Sequence, residues 1–216
     1  MNNNKQIYFV TSNAKKFISL QKMLAPVEVD LQRLECDFDE GRDLDIRKIT
    51  EAKLAQAKRA FPGKRLVVDD RGFFIPALGG FPGPFIKLLL DSFSYKGLIK
   101  LMAGEIDRRA VFSFGLGYFD GESDTILAAD EVGFITDEPR GDNLHGWTEL
   151  LYVYGYNTFP GRSLAELDDD EWQEYLASIE EVDVFAKLRD FLIQRLTSTT
   201  RTLRADDNLT HWASTL

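Results

Sequence analysis

The chain has 216 residues, 44% of them hydrophobic and 28% charged, with a formal net charge of −9. That is ordinary globular composition, long enough for one sizeable domain or two lobes sharing a core; the acidic balance argues against an extended nucleic-acid surface, so any anion site has to be a local basic pocket. No apolar run approaches the roughly 20 residues of a membrane span, the opening MNNNKQ lacks the layout of a signal peptide, and the single cysteine, Cys36, fits a reducing cytoplasm.

Gln6 to Val10 reads as a short strand. Thr11-Ser12-Asn13 follows, then a helix with Phe17, Leu20 and Leu24 on one face, for which Ser12 or Asn13 is the natural N-cap. Strand, turn and helix in this order form an anion cradle, because free N–H groups and the helix dipole point at a phosphate. Lys15 and Lys16 in the first turn oppose that dipole unless an anion binds; the plainer reading is a surface helix with ordinary lysines. Val27 to Leu34 alternates like a second strand. An acidic loop, Asp37 to Asp45, leads into a helix over Asp45–Phe61 with Ile46, Ile49, Ala57 and Ala60 as its inward stripe. Lys53 falls within that stripe and needs either a counter-charge or a route to water.

Leu66-Val67-Val68 is too short for a helix and reads as a buried strand ending in adjacent carboxylates, Asp69 and Asp70. The Gly/Pro-dense loop Gly79 to Pro84 follows, with Lys87 at the head of an apolar helix. A carboxylate pair at the end of a strand suits a divalent metal carrying a phosphorylated substrate; a solvated Asp-Asp turn is the other reading. Pro84–Ser92 and Tyr95–Ala103 read as two helices, the second anchored by Leu98, Leu101 and Met102. Arg108–Asp120 and Thr125–Ile135 form a long antiparallel hairpin, which predicts a mixed sheet and a second lobe across a cleft. Pro139 to Trp147 is a loop, Asp168–Asp183 an acidic helix face, Val182–Leu196 the last packed helix, and 197–216 a polar tail of open role.

Three segments together resemble the inosine triphosphate pyrophosphatase family: TSNAKK at 11–16, LVVDD followed by ALGGFPGPFIK at 66–87, and PRG with GW at 139–147. The resemblance spans roughly 6–167 of the sequence. It implies an α/β fold with a long curved mixed sheet, flanking helices and two lobes around a central cleft, within a single domain over 1–196. It implies a Mg²⁺-dependent pyrophosphatase that converts a (deoxy)nucleoside triphosphate, of inosine or xanthosine type, to the monophosphate and pyrophosphate. Thr11, Asn13, Lys16, Lys53 and Lys87 would bind the substrate's phosphates, His145 stands at the base-stacking position, and Arg71, Gly146 and Trp147 would also contact the substrate. Glu40, Asp69 and Asp70 would hold the metal, with Asp37 and Asp39 as alternatives to Glu40. Asp70 and Lys53 would serve catalysis. A cytoplasmic homodimer is implied, with the aromatic segment holding Phe81, Phe85, Phe93 and Tyr95 as its sequence support; core packing is the other reading of those rings.

The departures are equally specific. Ser12 stands where the family has glycine, Asp69-Asp70-Arg71-Gly72 replaces its acidic signature, and His145 and Thr148 replace its base-stacking phenylalanine and base-contacting aspartate. Trp172 and Leu176-Ala177-Ser178 occupy the positions of its purine-reading lysine and Ser-His-Arg triplet. These losses predict weakened or altered base preference, and they leave open a nucleotide sensor or a degenerate homologue without turnover. The septum-inhibitor-like pyrophosphatases share the chemistry but fit PGPFIK and PRG with GW poorly.

Overall fold

The computed structural model describes residues 5–38, 43–146 and 148–195. Glu40, its alternative Asp39, Trp147 and the tail from 196 onward lie outside the described residues.

One mixed, open sheet organises the chain. Its strands lie in the order β2 (Asp30–Leu34), β1 (Gln6–Val10), β3 (Leu66–Phe74), β5 (Arg109–Phe119), β6 (Asp124–Ile135) and β7 (Tyr154–Tyr156), and the two-residue β4 (Pro82–Gly83) pairs with β3 off this path. β1 is parallel to β2 and β3, and every other pairing is antiparallel. Among the described residues five α-helices flank the sheet: α1 (Ala14–Met23), α2 (Ile46–Ala60), α3 (Ile86–Leu101), α4 (Asp169–Ser178) and α5 over 184–195. The two-helix reading of 84–103 survives as a break in α3 at Ser94, whose φ is 55°. No helix among the described residues is long and apolar enough to cross a membrane.

The apolar residues sort into three clusters. On one face of the sheet, α1 and α5 pack Leu20 and Leu188 on Ile7, Phe9, Val67, Leu116 and Tyr118. On the opposite face, α2 packs Leu54 and Ala57 on Val10, Leu66 and Val68. The third cluster gathers Phe73, Leu98, Tyr154, Trp172 and Tyr175 and forms the second lobe. Between the first and third clusters, on the same face of the sheet, runs a strip of mixed character: Asp69 and Arg71 on β3, Phe114 and Phe112 on β5, Ala129 and Glu131 on β6. Phe112 and Phe114 are only half-buried and stack at 5.8 Å.

Several expectations change. β3 does not stop at the aspartates: its ladder with β5 continues from Leu66↔Phe119 to Phe74↔Val111, so both carboxylates sit mid-strand. On its other edge β3 meets β1 only at Leu66 and Val67, and β4 only at Phe73 and Phe74. No strand among the described residues pairs with that edge at 68–72. The second strand begins at Asp30 rather than Val27, because the Val27 N–H closes a turn on the Leu24 carbonyl at 2.8 Å. On α2, Thr50 and Leu54 face inward while Ala60 is exposed, and on α3 Leu101 is exposed as well. Phe81, Phe85 and Phe93 are not core residues, being 46%, 39% and 68% exposed.

The approach of α2 to the sheet depends on Gly115, which pairs with Asp70 across the ladder. A Cβ there would lie 2.1 Å from Thr50 Oγ1 and 3.2 Å from the Ile46 carbonyl oxygen. Thr50 cannot easily yield, since it is buried and its hydroxyl donates to that same carbonyl at 2.7 Å. Gly115→Ala is therefore expected to destabilise the fold by about 1–3 kcal/mol through overpacking. Urea denaturation of the variant against the parent chain measures it.

Candidate active site

Adjacent residues of a strand project to opposite faces, and Asp69 and Asp70 obey this. Asp69 meets Lys16 from α1, Nζ to Oδ2 at 2.8 Å, and Asp70 meets Lys53 from α2, Nζ to Oδ2 at 3.1 Å. Both carboxylates are buried, at 3% and 6% exposure, so each charge needs its own counter-charge. Lys53 thus follows the counter-charge reading of its inward position rather than the snorkelling one. The Arg71 backbone N–H also donates to Asp70 Oδ1 at 2.8 Å.

Asp69 is less completely served. Lys16 approaches it outside the directions of a hydrogen bond, so Asp69 Oδ2 is buried without a hydrogen-bond partner among the described residues, as is Arg71 Nε, 3.8 Å away. A buried carboxylate oxygen with an incomplete shell, beside a second carboxylate, is donor chemistry that fits a hard divalent cation. Among the described residues no three His, Cys, Asp or Glu side chains gather as a metal site. Asp37, the described alternative to Glu40, is exposed.

The turn before α1 is built as a cap. Asn13 Oδ1 accepts from the N–H groups of Lys15 and Lys16 at 2.9 and 3.2 Å, and Thr11 Oγ1 accepts from the Asn13 N–H at 3.1 Å. Of the two cap candidates, Asn13 does the work, and it occupies two of the amides that the cradle reading left for a phosphate. Arg33, which the sequence reading passed over, compensates: its guanidinium donates to the carbonyls of Thr11 and Ser12, both at 3.2 Å, and brings a cation to the turn. Alternation along β2 was its only sequence signal. Lys87, exposed in the first turn of α3, makes no ion pair with either aspartate in this state of the chain. Arg71 lies over the Phe114 ring, 5.4 Å from its centroid.

At the other end of the strip, the expected base-stacking residue is already stacked. The His145 ring lies parallel to Trp172 at 4.2 Å, its Nε2 is 2.9 Å from the Leu167 carbonyl oxygen, and its side chain is 5% exposed. Imidazole and indole each cover one face of the other, and both side chains are nearly buried. Gly146 is exposed with φ 76°, which only glycine adopts readily. The Pro139–Gly141 loop is laced to the 163–166 turn: Ser163 donates to the Arg140 carbonyl at 2.8 Å, and a Cβ on Gly141 would strike the Ala165 backbone at 2.2 Å. The acidic run serves α4 itself. Asp168 caps it in a capping box with Glu171, and Arg162 clamps Glu171 at 2.5 and 2.8 Å.

The strip ends in a feature with no sequence motif. Glu131 is 2% exposed, and Tyr154 and Tyr175 both donate to its Oε1, at 3.1 and 2.9 Å. Burial lifts its carboxyl from 4.5 to about 7, against the two phenol hydrogen bonds.

Buried carboxylates matched to lysines from separate helices, beside a capped turn and an arginine, form a cluster of paired charges of the kind that suits a phosphorylated ligand. Residues 7–177 match the model of the Ham1 family, and the chain belongs to that family. It is 30% identical over 167 residues to a dITP/XTP pyrophosphatase of Ignicoccus hospitalis, covering 77% of this chain and 87% of the relative. It is 31% identical over 167 residues to an inosine triphosphate pyrophosphatase of Yarrowia lipolytica, covering 76% and 85%. The solved Ham1 protein of Staphylococcus aureus shares the fold, with a TM-score of 0.69 at 17% identity over 87% of this chain and 99% of that one.

The raised carboxyl of Glu131 has a measurable consequence. The folded state keeps the proton where the unfolded chain has lost it, so this stabilisation is complete below pH 4.5 and disappears as the pH rises through about 7. Glu131→Gln keeps an acceptor for both phenols and cannot ionise. Relative to the parent, the variant should gain stability on the order of 2–3 kcal/mol once the pH exceeds about 8, with little difference under acidic conditions. Denaturation curves at several pH values test this.

Proposed function

We propose that the chain is a nucleoside triphosphate pyrophosphatase acting in the cleft over β3, and that it requires Mg²⁺. The reading is carried by the two buried aspartates of β3, each against a lysine from a different helix, in a member of a family whose relatives bear pyrophosphatase names. In the reaction a water oxygen bonds to the α-phosphorus, the bond from that phosphorus to the bridging oxygen breaks, and pyrophosphate leaves with the electron pair. Asp70 orients the water and takes its proton. Lys16 and Lys53 are held where they offset charge on the phosphates. Thr11, Asn13 and Arg71 flank the same polyanion, and Lys87, exposed in the first turn of α3, is a further cation for it. Asp69, with Asp70 and the loop acid Glu40, would hold the Mg²⁺ at the edge of β3 that no described strand pairs over 68–72, where carboxylates from the two faces can be approached together; the ion would withdraw charge from the phosphate oxygens.

The substrate class follows from the relatives: inosine- or xanthosine-type (deoxy)nucleoside triphosphates. His145 and Trp172 are stacked on each other, and we therefore place the reading of the base elsewhere in the cleft. We also read residues 1–196 as one domain, supported by a single sheet running from β2 to β7.

Asp70→Asn should lower turnover by roughly 10²-fold or more while the fold persists. The assay is pyrophosphate release from a panel of nucleoside triphosphates with Mg²⁺. Unchanged turnover removes Asp70 from the chemistry. Thermal stabilisation by a nucleotide without pyrophosphate release favours the sensor reading.

A cytoplasmic homodimer completes the proposal. Its support is the exposed apolar surface along the loop and α3, where Phe81, Phe85, Leu88 and Phe93 stand open. Light scattering is expected to give twice the 24.6 kDa chain mass, and Phe93→Asp to give the monomer. A monomer from the unaltered protein at micromolar concentration removes the dimer.

A further inference from the structure

Glu131 has no part in holding phosphate or metal, yet it lies on the same strip. Asp69 pairs with Leu116, and Leu116 with Leu127; Glu131 lies four residues further along β6. Two strand spacings across and four residues along put the two carboxyl-bearing positions about 16 Å apart on one face of the sheet. That is the span from the phosphates to the base in an extended nucleoside triphosphate. Between them lie Arg71 and the half-buried Phe114 and Phe112 rings, an apolar floor of the kind on which a base and sugar rest.

The carboxyl is also set up to make one further contact. A carboxylate oxygen has two lone-pair positions, and the two phenols fill those of Oε1. Oε2 receives no hydrogen bond from any described residue. The residues that fix Glu131 hold it rigid: Tyr154 packs edge-on against Phe73 and Phe112, and Tyr175 against Tyr156.

We propose that Glu131 reads the base. Its Oε2 pairs with the ring nitrogen at the hydrogen-bonding edge of the nucleobase, making Glu131 a specificity-determining residue for the reaction. This rests on the pyrophosphatase reading for the placing of the phosphates. As an anion, Oε2 only accepts. It then favours a base with a ring N–H beside a carbonyl, as in hypoxanthine or xanthine, and opposes the bare ring nitrogen of adenine. As an acid it donates, and the order reverses. A site built around one such hydrogen bond discriminates because the wrong base leaves a buried polar group unpaired.

The charged and titratable groups around it are few: Tyr154 and Tyr156 from β7, Tyr175 from α4, Arg71 from β3, and Glu180 and Glu181 in the turn against β6, with Glu180 held by Arg189 at 3.0 Å. The carboxyl, raised to about 7, titrates close to neutrality, so the preference is expected to change sign within an accessible range.

The test is calorimetric binding of inosine triphosphate and adenosine triphosphate, with pyrophosphate release in parallel, from about pH 5.5 to about pH 8. The affinity ratio of inosine over adenosine nucleotide should rise roughly 10-fold or more across that range. Glu131→Gln should flatten the profile. Tyr175→Phe removes a hydrogen bond that favours the anion, so it should move the rise to higher pH. A ratio that does not vary with pH in the unaltered protein, or that varies equally in Glu131→Gln, overturns the proposal. Glu131-dependent binding without pyrophosphate release would leave this inference standing and sink the enzymatic one; release with a Glu131-independent ratio does the opposite. If neither nucleotide binds, both fall.

Discussion

Two carboxylates on consecutive strand residues cannot share a face, and this constraint arranges much of the molecule. Each buried aspartate needs a cation of its own, and the strand's alternation sends the two demands to opposite sides of the sheet. α1 supplies Lys16 on one side and α2 supplies Lys53 on the other. For α2 to sit close enough, the sheet beneath it must be smooth, and Gly115 provides that beside Asp70. The helices are thus placed by charge as well as by the apolar clusters beneath them.

The sequence was most legible where periodicity and caps act locally. β1, α1, α2 and the long hairpin were read to within a residue or two, because alternation, N-caps and turn residues are one-dimensional signals. Lys53 was legible as a misplaced charge, although Asp70 as its partner depends on the register of β3 against the rest of the sheet. The end of β3 was misread because the residues that continue it, Arg71 to Phe74, gain strand character from pairing with β5, some 40 positions away in sequence. The apolar segment 81–93 was ambiguous for a related reason: exposure is a property of what packs against a ring, and composition does not encode it.

The second lobe shows how a site changes when its parts are replaced together. The family resemblance in sequence predicted missing purine readers at 145 and at 172. The structure shows that the two substitutes are paired with each other, histidine flat upon tryptophan, so one change accommodates the other. Neighbouring α4 adds Tyr175, which reaches across to β6 and ties down Glu131. Neither of these contacts has a spacing rule that could reveal it from sequence, since they join β6, α4 and a loop.

β3 is secured along one edge by a full ladder and along the other by two short stitches, to β1 at its start and to β4 at its end. The half of the sheet that carries α1 is therefore fastened to the remainder by a seam two residues long, together with the apolar layer under α1 and α5. Such a joint resists separation through packing but offers little torsional stiffness of its own. The Lys16–Asp69 contact crosses this joint. Were Lys16 to bind the substrate's phosphates, as proposed, that contact would loosen and the ligand's own charge would become the tie between the two halves.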